Sequence, residues 1–338
     1  MKTNSHVRLA LGAAMTVAAA AMPASAEITW RAPIWGPLRS STQPFDWYAK
    51  EVAAKTGGQM KIQVVHDQGK PGDAAELLKS GAAEASYFCA QYFADKMPLT
   101  MVLDLPMFGP EKTETLGRVA LALAEHPAIQ AELKPWNAKM FLPVPFPQYQ
   151  IMGNKRIASI KDLNGLRVRI SPEAGKSLQE FGAVVQVKTP AEALAGLKSG
   201  ELDAAAFPYP VAFGMFNFKS VTKYVTDDIS LGAQFCYLAV SLKAWNALPG
   251  NVKKAMLAAR EPALAQYEAT YAREDAETIA AFKQQGLEFV SFNKTDRSRL
   301  LAKTIKHWGA WVDEREKEGL KGKEVFEFTQ AKIREFSR

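Results

Sequence analysis

Two stretches of this chain follow the same local plan, and that repetition constrains its folding more than any other feature. Residues 51–65 read EVAAKTGGQMKIQVV and 73–88 read DAAELLKSGAAEASYF; residues 178–207 read LQEFGAVVQVKTPAEALAGLKSGELDAAAF. Each has a helix, a glycine turn, a strand, a second helix closed by Leu-Lys-Ser-Gly, and a strand. Strands alternating with helices predict a mainly parallel sheet, and two such units predict two similar α/β lobes. With 338 residues, 48% of them hydrophobic, there is material for two cores.

The periodicity places strands at 28–32, 60–65 and 85–89, and helices at 43–56, 73–80 and 113–134. Phe45, Tyr48 and Val52 share one face of the 43–56 helix. A Pro-punctuated loop fills 98–110. A second unit starts near Phe146, with strands at 148–152, 167–170, 184–188 and 204–207 and a helix at 175–181. Ser159 to Asp162 reads as a capped turn. Thr189-Pro190-Ala191-Glu192 opens a further helix, with proline first and a capping-box spacing. An extended apolar run reaches Leu242, and helices follow at 251–284 and 296–316. The helix beginning near Asn251 is too long for one lobe and is expected to span both.

The first 26 residues carry Lys2 and Arg8, an apolar run from Leu9 to Met22, and Ala24-Ser25-Ala26, the pattern of a secretory leader cleaved after Ala26. The mature protein is therefore expected to be exported and soluble. Taking the two leader cations from a formal charge of +7 leaves +5, spread with no Lys/Arg block longer than two, so nucleic acid is not an expected partner. Cys89 and Cys236 lie in apolar runs, where a disulfide and two buried free thiols are equally at home. His66, His126 and His307 stand far apart, and no CxxC, HExxH or Walker loop is present, so no metal or cofactor is expected.

The segment LRVRI, residues 166–170, alternates, so Arg167 and Arg169 share a side opposite Leu166, Val168 and Ile170. A strand arginine of this kind is either solvated, paired internally with Asp162 or Glu173, or aimed at a ligand.

From Ile160 to Ile170 the sequence reads IKDLNGLRVRI, followed by Phe181-Gly182-Ala183 and Leu202-Asp203, with Leu105-Pro106-Met107-Phe108 and Trp245-Asn246-Ala247-Leu248-Pro249 elsewhere. In these segments the mature chain resembles the solute-binding subunits of tripartite ATP-independent periplasmic (TRAP) transporters. The resemblance implies a two-lobed periplasmic-binding-protein fold with hinge strands and a long helix bracing both lobes. Lobe I would take 27–146 plus 235–274, and lobe II 147–234 plus 275–338. It implies a periplasmic receptor, not an enzyme, that hands a small organic acid to a membrane permease. It also implies that Arg169, and not Arg167, projects into the cleft and pairs with the ligand carboxylate, as the fork of a guanidinium suits.

Relatives that bind dicarboxylates or acidic sugars often carry a second cation some twenty residues earlier. Here that place is held by Tyr149 between Gln148 and Gln150. Keto-acid binders have a glutamine near Gln148 and a Glu-Trp pair after the second helix, where this chain has Asp203-Ala204-Ala205-Ala206-Phe207-Pro208-Tyr209; their bound metal is therefore not implied. Trp35, Phe88, Phe207 and Tyr209 are expected at strand carboxyl ends, where open α/β sheets present ligands, with Tyr149 opposite. With Gln148 and Arg169 they form the expected site, suited to a monocarboxylate with an apolar or aromatic body. Phe213 and Phe216 are expected in the core. The rival readings are a receptor for an ATP-driven importer or a sensor, and a periplasmic hydrolase; the latter would need a nucleophile and base, and no GxSxG is present.

Overall fold

The computed structural model describes residues 26–110, 112–146, 149–210 and 216–338. The expected leader, Ala26 apart, lies outside the described residues, as do Gln148 and Phe213. The first lobe alternates as the sequence predicts. β1 (Ile28–Pro33) leads into α1 (Gln43–Lys55), β2 (Met60–Val65), α2 (Asp73–Ser80) and β3 (Ala85–Cys89). α1 starts with Pro44 in its first turn and buries Phe45, Tyr48 and Val52 on one face. Helix α2 ends on Gly81 at φ +78°, a left-handed cap that a side chain would resist. The single helix expected over 113–134 is two, α3 (Thr113–Ala124) and α4 (Pro127–Leu133). Pro127 cannot continue α3, and the His126 ring accepts from Ala128 N at 3.2 Å to begin the second helix. β4 (Ala138–Phe146) follows, a strand missed in the sequence.

The second lobe contains β5 (Gln150–Gly153), β6 (Arg167–Arg169), α5 (Pro172–Gln179), β7 (Val184–Gln186), α6 (Pro190–Ser199), β8 (Ala204–Phe207) and β9 (Tyr224–Thr226). Both capping boxes form, at Ser159/Asp162 and at Thr189/Glu192. α6 ends on Gly200 at φ +76°, so the two Leu-Lys-Ser-Gly segments make the same left-handed stop.

β10 (Gln234–Ser241) then returns to the first lobe and lies between β3 and β4, antiparallel to both. β5 is likewise antiparallel to β8 and β9, whereas β6 is parallel to β7 and β8. The sheets are thus mixed rather than mainly parallel, because each strand that enters a lobe from the other runs against its neighbours. The two crossing segments hold one another: Tyr149 N donates to Gly232 O at 2.8 Å and Leu231 N to Tyr149 O at 3.0 Å. Cys89 and Cys236 face each other across β3 and β10 and form a disulfide.

The expected helix over 251–284 breaks in two after α7 (Leu242–Ala247): α8 (Gly250–Ala258) and α9 (Arg260–Gln284) meet at Ala259. α9 packs on α1, α3 and β4, and its last turn puts Phe282 against Tyr209 in the second lobe. It therefore spans both lobes as expected. β11 (Glu288–Val290) adds to β9. α10 (Lys294–Lys317) packs on α5, but α11 (Gly322–Phe336), missed in the sequence, packs on α3. Part of the stretch after 275, expected in lobe II, packs on the first: Trp311 and Val325 share a buried cluster with Leu116 and Leu123.

Candidate ligand-binding site

The two arginines of LRVRI have separate fates. Arg167 grips Asp203 with two prongs, Nε to Oδ2 at 3.0 Å and Nη2 to Oδ1 at 2.7 Å, while its own N–H donates to Oδ2 at 3.0 Å. Lys155 adds a contact at 3.1 Å. These bonds hold the Asp203 carboxyl well below the usual carboxylate range. Arg167 is thus a structural clamp between β6 and the start of β8.

Arg169 is 1% exposed. Its Nε donates to Lys188 O at 2.7 Å and its Nη1 to Ala206 O at 3.0 Å, and its guanidinium lies 3.7 Å from the centre of the Phe207 ring. The two internal partners that the sequence offered are engaged elsewhere: Asp162 accepts from Ser159 N at 2.8 Å, and Glu173 pairs with Lys176 at 2.8 Å. Among the described residues no carboxylate forms an ion pair with Arg169. Burial pushes its pKa down, opposed by Tyr149, Tyr92 and Asp104. A buried cation held by carbonyls and a ring, with no counter-ion, is a poor structural device and a good anion receptor.

Phe207 and Tyr149 form one side of a cavity between the lobes, and Trp35, Tyr87 and Tyr92 form the other. Trp35 packs on Tyr87 at 5.1 Å and on Tyr92 at 6.0 Å between ring centres. The Cys89–Cys236 disulfide lies at its floor. The space enclosed is about 30 Å³, room for about one or two waters. A ring-bearing acid is admitted only when the lobes stand further apart than here.

Of the expected site residues, the fold brings Trp35, Tyr149 and Phe207 to this cavity, with Arg169 stacked behind Phe207. Phe88 is not there. It is fully buried on the opposite face of β3, stacked on Phe93 at 4.4 Å and Tyr237 at 5.4 Å. Tyr87, one residue earlier, takes the cavity side. Tyr209 is not there either: its hydroxyl donates to Thr226 O and its ring packs on Phe282 and Phe289. Phe216, expected in the core, lines the cavity. So does Arg39, which the sequence reading passed over. Its only signal was a cation in the short loop after the first strand, beside Trp35.

Behind the cavity runs a buried chain of hydrogen bonds. The Tyr149 hydroxyl donates to Gln234 Oε1, and Gln234 Nε2 donates to Asp104 Oδ1 at 2.8 Å. Asp104 also accepts from Ser171 Oγ at 2.7 Å and from Glu173 N at 3.3 Å. Desolvation raises the Asp104 pKa to about 7. A larger depression of about 800 Å³ lies outside the cleft, beside Leu99, Pro135 and Leu320. Its walls carry Glu132, Glu173 and Glu318, and its Arg315 is paired with Glu318 at 2.8 Å, so it does not suit an acid.

Two α/β lobes joined by crossing strands, closing on a ring-lined space beside an uncompensated cation, define a two-lobed solute-binding protein of the periplasmic kind. The chain belongs to the bacterial extracellular solute-binding protein family 7, whose family model matches residues 32–314. It is a TRAP-type solute-binding protein, as the sequence resemblance implied. A TRAP solute-binding protein from Rhodoferax ferrireducens T118, in complex with copurified benzoate, matches with a TM-score of 0.81 at 18% identity, over 92% of this chain and 98% of that one. A marine metagenome TRAP protein from an unidentified microbe, described as specific for aromatic acid ligands and bound to 3-hydroxybenzoate, gives 0.81 at 18% identity over 93% and 100%. At that identity the likeness speaks for the fold alone. A solute-binding protein of Verminephrobacter eiseniae is 25% identical over 265 residues, 76% of each chain.

Proposed function

We propose that this protein is the extracytoplasmic receptor of a TRAP transporter, exported with cleavage after Ala26, that captures a small monocarboxylic acid with an apolar or aromatic body and delivers it to a membrane permease. The carboxylate pairs with Arg169, and the body lies among Trp35, Tyr87, Tyr149 and Phe207. The observation that carries this reading is the buried Arg169 guanidinium, paired with no carboxylate among the described residues and 3.7 Å from the centre of the Phe207 ring, which lines the cavity. The aromatic acids named for two structural neighbours agree with it.

Function follows from the two lobes. Only the closed form lets both touch one ligand, so binding energy shifts the population towards closure. Hinge closure of this kind is well known in periplasmic binding proteins. The closed surface is what the permease would recognise; no bond of the ligand is broken.

The test is thermal unfolding against benzoate, a 2-oxo acid and an aliphatic dicarboxylate. A ligand present at 100 times its Kd adds ~2.7 kcal/mol of stability. Benzoate is expected to stabilise, and the aliphatic dicarboxylate, which brings no ring to the aromatic walls, to do so least. If none of the acids shifts the transition at millimolar concentration, the reading fails.

A further inference from the structure

We propose that Arg39 is a second ligand anchor, on the first lobe, and that it selects acids carrying another oxygen acceptor away from the carboxylate. The inference rests on the reading of Arg169 as the carboxylate anchor.

Arg39 is 5% exposed and lines the cavity. Its Nη1 donates to Trp35 O and to Pro37 O, both at 2.9 Å, and its guanidinium lies 4.3 Å from the Trp35 ring centre and 5.1 Å from that of Tyr87. Gly36, at φ +72°, makes room for it: a Cβ there would stand 2.7 Å from Arg39 Nη1. The loop is therefore built around this side chain. Yet, among the described residues, Arg39 Nη2 is buried with no hydrogen-bond partner, and so are Trp35 Nε1 and Ser41 Oγ. All three residues line the same cavity. The Tyr87 hydroxyl lies near both Arg39 and Ser41 and, within hydrogen-bond geometry, satisfies neither. Among the described residues no carboxylate pairs with Arg39.

Holding the loop explains Nη1. It does not explain three such groups on residues that line one cavity. Buried polar groups are nearly always partnered, and a buried cation without a counter-ion is costly. An indole N–H and a guanidinium N–H only donate, and a serine hydroxyl can. What they lack in common is an acceptor, and the guanidinium favours one with negative charge. A hydroxyl, an oxo group or a second carboxylate on the ligand meets that need. Arg39 and Phe207 both line this cavity, and the Arg169 guanidinium lies 3.7 Å from the centre of the Phe207 ring. Arg39 comes from the loop after β1, Arg169 from β6. A ligand reaching both would join the lobes, so the second anchor also contributes to closure. The cation that appeared to be missing beside Tyr149 is thus supplied from the other lobe.

Titration calorimetry with benzoate, 3-hydroxybenzoate and isophthalate, on the mature protein and on Arg39→Gln, Trp35→Phe and Arg169→Gln, tests this. The wild type is expected to bind one of the two substituted acids about tenfold or more tighter than benzoate. Arg39→Gln should bind all three alike, Trp35→Phe should narrow the preference, and Arg169→Gln should weaken all three. Which substituted acid is preferred distinguishes a hydroxyl from a second carboxylate. A preference that survives in Arg39→Gln, or a wild type that depends on Arg169 but does not discriminate among the acids, overturns this inference and leaves the proposed function standing. A folded wild type that binds none of the three overturns both. Should Arg39→Gln not fold, Trp35→Phe decides: it keeps an aromatic ring, though a smaller one, and lacks the indole N–H, and an unchanged preference among the three acids sinks the proposal.

Discussion

Asp104 accepts a hydrogen bond from Ser171 Oγ at 2.7 Å, and this contact joins the lobes directly behind the ligand cavity. The carboxylate also receives Glu173 N at 3.3 Å, at the start of α5, and Gln234 Nε2 at 2.8 Å, which in turn leads to Tyr149 at the cavity wall. One buried acid therefore connects the cavity wall to both lobes.

That acid makes stability depend on pH with a definite sign. Its pKa in the folded protein is about 7 against an ordinary 3.8, so the protonated form favours the fold. The contribution is fully present below about pH 4 and is lost as pH rises through 7. Asp104→Asn does not titrate. Urea unfolding at pH 5, 6, 7 and 8 should show the variant gaining on the wild type with each step; a constant difference would mean that burial does not control this group.

Arg169→Ala is expected to weaken benzoate binding by ~2 to 5 kcal/mol, since it leaves a carboxylate unpaired in a closed cleft. Arg167→Ala should lower the melting temperature, through the loss of its grip on Asp203, and leave the Kd nearly unchanged. Equal losses of affinity would show that both arginines face the ligand.

Phe88 belongs to the core, stacked between Phe93 and Tyr237. Phe88→Ala should cost ~3 to 5 kcal/mol of stability, read by chemical denaturation, while the folded fraction binds with wild-type affinity. A selective loss of binding would return this ring to the site.

The Cys89–Cys236 disulfide closes a loop with a sequence separation of 147. Replacing both cysteines with alanine should destabilise the fold by ~2 to 5 kcal/mol, through the freedom regained by the unfolded chain. Thiol titration of the denatured wild type should find no free cysteine; two free thiols would contradict the pairing.

Much of this architecture is written locally. β2 and β3 run over the residues that alternation and composition indicate, and both capping boxes and both Leu-Lys-Ser-Gly stops form where their spacing places them. These signals act within a few residues, through hydrogen bonds and backbone preferences that the neighbours already specify. The role proposed for Arg169 could be read only through the resemblance of its segment, because alternation puts Arg167 on the same side. What separated them was Asp203, brought alongside β6 by α6. Phe88 and Tyr87 could not be told apart, because β3 is buried on both faces and its residues offer no polar side to orient it. Arg39, the disulfide and the return of α11 to the first lobe depend on which distant segments meet. Local sequence determines elements and their ends; the faces of a strand buried on both sides, and the partners of a loop side chain, are settled only when long-range packing decides what lies opposite them.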